Sequence, residues 1–121
     1  MEEFYTRSIA NKGKKLPLFT PAGDATDHWI MVRGVDSDNF RQAEAKAKRK
    51  AVEIAQIEDA DERVDAVANE EAVLIASLVA DWSFGDECTV FNVVKFLKEA
   101  PQIADMINRY SVMRDEFFAK K

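Results

Sequence analysis

His28 is the only histidine in the chain and Cys88 the only cysteine. They form the one pair that could act as a base and a thiol nucleophile, provided the fold brings them together. Nothing local supports the pairing. A metal site needs several converging ligands, and neither residue has a second histidine or cysteine at ligand spacing. A histidine at a strand start is ordinarily a surface residue, and a free cysteine ordinarily behaves as a small buried hydrophobe. The acids offer a third opening. Residues 58–71 hold seven of them (Glu58, Asp59, Asp61, Glu62, Asp65, Glu70, Glu71) against one base, Arg63. Asp59, Asp61 and Asp65 match the spacing of a calcium loop only loosely, and Val64 stands where that loop needs its glycine. Acids at the start of a helix have a simpler reason, because the helix dipole favours them there. The sequence therefore leads us to expect no catalytic set, no metal and no cofactor, and a protein that is not an enzyme.

A basic run, Lys46, Lys48, Arg49 and Lys50, faces these acids along the sequence. It lacks the interleaved aromatics of a nucleic-acid surface, and the chain carries a net charge of −5, so no nucleic acid is expected. The bases can pair with the acids across two antiparallel helices. They can also meet the acids Asp61, Glu62 and Asp65 of a neighbouring copy, which makes the two patches the candidate self-association surface. Surface pairs add little stability, so this contact would set specificity.

Eight phenylalanines, two tryptophans and two tyrosines are many for 121 residues. Most belong in a core. Phe117 and Phe118 are adjacent in the last helical turn, where neighbours point about 100° apart. Either one of them is exposed or held at an interface, or a broad stripe closes the fold. The candidate partner-binding residues are Tyr110, Phe117 and Phe118, with the hairpin around Phe19 and Trp29 as the other location.

These residues must be positioned by a single domain, residues 1–121, which is long enough to bury a substantial core. Three prolines and four glycines are too few for a multi-stranded β fold. The expected fold is mainly α, an N-terminal β-hairpin followed by an irregular bundle of about four helices. Residues 1–15 are polar and read as a flexible arm. Residues 16–35 read as the hairpin, turning at Pro21-Ala22-Gly23-Asp24, with Pro17 confining its strand to an edge. Residues 37–118 read as the bundle. Asp36, Ser37 and Asp38 each qualify as a cap for the first helix, whose stripe Phe40, Ala43, Ala47, Ala51, Ile54 runs to about Ile57. Val64, Val67, Ala68, Ile75, Leu78 and Val79 mark a second helix ending near Trp82. Thr89 caps a third from Val90 to Glu99. Pro101 starts a fourth, with Ile103, Met106, Ile107, Tyr110, Met113 and Phe117 at helical spacing. Two acids near the start and the absence of a long apolar run argue against a signal peptide or a membrane span. A cytoplasmic location and no membrane partner are expected.

Three stretches resemble the tail assembly chaperones of long-tailed (siphovirus) bacteriophages. They are residues 16–41, from Leu-Pro-Leu-Phe-Thr-Pro-Ala-Gly-Asp to Asp-Ser-Asp-Asn-Phe-Arg; residues 78–84, Leu-Val-Ala-Asp-Trp-Ser-Phe; and residues 89–103, Thr-Val-Phe-Asn-Val-Val-Lys-Phe-Leu-Lys-Glu-Ala-Pro-Gln-Ile, with the closing Arg-Asp-Glu-Phe-Phe of 114–118. All are scaffold residues. The resemblance implies a non-catalytic protein of the host cytoplasm that binds and solubilises the tape measure protein during tail morphogenesis and is absent from the mature virion. It further implies a programmed ribosomal frameshift at the closing Ala119-Lys120-Lys121, yielding a longer form that engages the tail tube protein. The competing reading is a small helical regulatory or nucleic-acid-binding domain using the Lys46–Lys50 run.

Overall fold

A computed structural model of the chain describes residues 1–117. A single 3-10 turn, Glu2–Phe4, precedes α1 (Arg7–Lys12), β1 (Lys14–Phe19), β2 (Ala25–Val32), α2 (Asp38–Ala55), α3 (Ala60–Ala76), β3 (Val79–Trp82), α4 (Val90–Glu99), α5 (Pro101–Ser111) and α6 (Arg114–Phe117). The chain is mainly helical, and the three strands form one antiparallel sheet in the order β1-β2-β3.

The hairpin turns where its chemistry requires. Gly23 has φ 92°, and the Thr20 carbonyl accepts from the Gly23 amide at 2.8 Å. Pro17 lies on the edge strand β1, opposite Trp29. The strands are residues 14–19 and 25–32, so the hairpin begins earlier and ends earlier than the 16–35 expected.

From Arg7 onward, residues 1–15 differ from the flexible arm expected, because side chains and backbone tie residues 7–11 to the body and Lys14 and Lys15 join β1. Arg7 donates to both Asp38 oxygens, at 2.6 and 3.0 Å. Asn11 exchanges two hydrogen bonds with Asp38, donating to its carboxylate at 3.2 Å and accepting its amide at 2.8 Å. The Ala10 carbonyl accepts from the Gly34 amide at 3.1 Å, and Ala10 is buried.

The second helix stops at Ala76 and does not reach Trp82. Residues 79–82 pair with β2 instead, Val79 opposite Val32 and Trp82 opposite Ile30. Leu78, Val79 and Trp82 are buried and Asp81 is exposed. The run Leu-Ile-Ala-Ser-Leu-Val-Ala fits either element locally, and the free edge of β2 decides for strand. The fourth helix likewise ends at Ser111, six residues before Phe117. Ser111 is fully buried and its carbonyl accepts from the Val35 amide at 3.1 Å. That capture diverts the chain into a turn before α6.

The core does not lie in a four-helix bundle. Leu18, Ile30, Val32, Leu78 and Trp82 of the sheet region pack against Val93 and Leu97 of α4 and Ile103 and Ile107 of α5. Trp82, Phe84 and Phe96 interlock there, with ring centroids 5.0 to 5.8 Å apart. α2 is different. Its stripe is mostly alanine, and Ile54 is its single buried residue. It packs on α3 and meets α1 at its start, leaving the rest of its length on an open helical hairpin.

Candidate binding surface

The seam between α2 and α3 opens into an apolar groove of about 380 Å³. Ala47, Ala51, Ile54 and Ala55 form one wall and Val67 and Leu74 the other, with Arg63 and Glu71 at the rim. Its cause is local. Alanine has good helix propensity but adds one carbon of bulk, so a stripe of alanines builds a helix without filling the space beside it. Val67 is 45 % exposed, and Val64 on the same helix 65 %. Both belong to the stripe that the helical periodicity assigns to the interior. Arg63 donates to the Ile57 carbonyl at 2.8 Å and so braces the connector at the hairpin tip. Asp59 caps α3 by accepting from the Glu62 amide at 2.9 Å. The tip of the hairpin is therefore braced by both bonds.

The charged patches sit on the same hairpin. Lys46, Lys48, Arg49 and Lys50 are all exposed on α2, and Asp61, Glu62 and Asp65 are exposed on the first turns of α3. One pair closes across the seam, Lys50 with Glu70 at 3.2 Å. Among the described residues the other six candidate self-association residues form no ion pair. Both patches are thus free to face opposite charge on a neighbour.

The aromatic candidates divide. Tyr110 and Phe117 are half-buried and stack on each other at 5.4 Å. Tyr110 also packs on the core, and burial pushes its phenol above the ordinary value. Phe117 reaches Gly34, coming within 3.6 Å of where a side chain there would begin. These two rings close the fold over the α1 region. Phe118 lies outside the described residues. Phe19, 53 % exposed, stands at the end of β1. Trp29 is half-buried, with the Lys15 ammonium 4.1 Å above its ring.

His28 and Cys88 go to different surroundings. The His28 ring meets the Ser83 hydroxyl at 3.1 Å and the Phe84 ring at 4.7 Å. Cys88 is half-buried, and its thiol is pushed up chiefly by burial, with Asp81 adding to the effect and Arg33 opposing it. Among the described residues no three His, Cys, Asp or Glu side chains converge into a metal-holding group, and no helix is long and apolar enough to cross a membrane.

Two functional-looking features escape the sequence. The groove does, because its walls read as core. So do Asp36 and Asp38, which read as caps. Ser37 is the cap, accepting from the Phe40 amide at 3.3 Å, while its acidic neighbours each bind arginine from a distant element. Comparisons with protein-family models, with curated proteins and with solved structures find no match to this chain, which leaves the geometry of this surface as the guide to function.

Proposed function

We propose that this protein is a non-catalytic assembly chaperone of the siphovirus tail type, which holds an amphipathic helix of the tape measure protein in the groove between α2 and α3. The observation that carries the reading is that groove, an apolar trough about 380 Å³ in volume on a helical hairpin. Two helices side by side present the surface that a third helix buries, reading its partner through residues at i, i+3, i+4 and i+7. The alanine wall lets the incoming backbone approach closely, and Val67 and Leu74 supply the anchors. A coat on a long partner takes many copies. The unpaired bases of α2 and acids of α3 provide a head-to-tail contact that need not close on itself. In this reading a frameshift-extended form brings in the tail tube protein, and the chain acts in the host cytoplasm.

The test is co-expression with the tape measure protein, followed by measurement of the soluble partner and of affinity for its helical fragments. Val67→Asp places a charge in the groove at an exposed position, so the fold survives. It is expected to weaken binding tenfold or more and to let the partner precipitate. Full solubilisation by Val67→Asp and by Ala51→Glu would overturn the groove as the site. If Phe19→Ala or Phe118→Ala abolished solubilisation instead, the contact would move to the hairpin or the chain end.

A further inference from the structure

On the other side of the same seam lies a larger cavity, about 600 Å³, bounded by α2, α3 and the start of α4. The two meet along Ala47, Glu70 and Leu74, and helical spacing divides the remaining side chains between them. Lys46 turns toward the cavity, whereas Ala51 and Ala55 turn toward the groove. The walls of the cavity are apolar in part, with Val73, Val79 and Val93 among them. Its charges are Arg33, Lys46 and Lys50 against Glu70 alone, and Lys50 already takes Glu70 at 3.2 Å. Two cations remain without a counter-charge, in a chain whose net charge is −5.

Arg33 is the anchor. It follows β2, and its Nη1 donates to the carbonyls of Ser77 and Val79, both at 3.1 Å. Those bonds fix the guanidinium plane. Among the described residues its Nε and Nη2 make no hydrogen bond and no carboxylate lies within ion-pair distance. Burial lowers its pKa, the mark of a cation held at a desolvation cost. The positive end of the α4 dipole adds to the same wall, where Thr89 caps the helix by accepting from the Asn92 amide at 3.1 Å. A planar donor fork with two free nitrogens, an ammonium and apolar walls are together the complement of an oxyanion attached to a hydrocarbon.

We propose that this cavity is a binding site for a small organic anion, an apolar body headed by a carboxylate or a phosphate, with Arg33 and Lys46 holding the head and Val73, Val79 and Val93 the body. The cavity borders the groove along Ala47, Glu70 and Leu74, but Arg33, Val73, Val79 and Val93 belong to the cavity alone, and Val67 and Ala51 to the groove alone, so the two sites can be tested separately.

NMR titration of the isotopically labelled full chain tests this, with hexanoate, hexyl phosphate, 1-hexanol and inorganic phosphate as probes. Hexanoate or hexyl phosphate should shift amides of residues 43–50, 77–80 and 88–90 saturably, and whichever binds tighter names the head. Hexanol should bind at least tenfold more weakly, and so should inorganic phosphate. Lys46→Glu, on an exposed face where folding is safe, should weaken the tighter probe at least fivefold. Arg33→Gln should weaken it further. No saturable shift, equal binding of hexanol, shifts confined to residues 63–71, or indifference to Lys46→Glu would overturn the site.

Discussion

Gly13→Ala is expected to destabilise the fold by about 3 kcal/mol and to lower its melting temperature by on the order of 10 °C. Gly13 ends α1 with φ 75° and ψ 179°, a region of backbone space open essentially to glycine alone. A side chain there meets a second obstacle, since an added Cβ would sit 2.7 Å from the Val32 carbonyl oxygen and 3.1 Å from its carbon. Those atoms belong to β2, the central strand, paired through Lys14 opposite Val32. They cannot move aside as a flexible side chain would. The strain instead shifts α1, and with it Arg7 and Asn11 on Asp38. The matched control is Gly85→Ala. Nothing lies within 4 Å of a Cβ there, so its stability should stay within about 0.5 kcal/mol of the wild type. Calorimetry on the three proteins decides. A Gly13→Ala variant melting within two or three degrees of wild type would show that the α1–β1 junction yields easily.

The same junction shows where sequence reading succeeds and where it stops. Elements with local punctuation are legible. Thr89 caps α4 and Pro101 opens α5 where their chemistry requires, and Gly23 turns the hairpin. Elements decided by a distant partner are not. Residues 79–82 become a strand because β2 offers an edge, and α1 is held by Asp38, 31 residues beyond Arg7. The groove is illegible for a related reason. Periodicity shows that Ala47, Ala51, Val64 and Val67 share faces, and it takes a face to be buried. It cannot show that α2 packs on α3 with little else beyond it, so that part of the stripe stays open. The charge patches, by contrast, were visible as charge from the start, and the fold adds that Lys50 alone among those bases is paired.

Asp36→Asn should cost about 2 kcal/mol at neutral pH, and that difference should shrink in acid. Asp36 sits in the loop between β2 and α2 and holds the far end of the described chain. Arg114 donates to both its oxygens, at 2.6 and 2.8 Å, and Arg41 donates at 3.2 Å. The bond from Arg114 is the chief reason that its carboxyl titrates far below the usual range, with Thr6 and Arg41 contributing against a partial offset from burial. Asparagine keeps the shape but loses the charge, and its amide nitrogen turns a donor toward a guanidinium that has none of the lone pairs it needs. The sign follows from the direction of the shift. A carboxyl whose folded pKa is depressed stabilises the fold fully above its unfolded value, about 3.9, and loses that stabilisation as pH falls below it. The wild type therefore weakens on acidification through a route closed to the variant. Asp38, also lowered, chiefly by Arg7, adds to the acid sensitivity of both proteins equally. Urea unfolding at pH 7 and again near pH 3 measures the effect. A difference that stays constant between the two, or an Asn variant as stable as wild type at pH 7, would show that the Asp36–Arg114 pair does not hold α6 to the body.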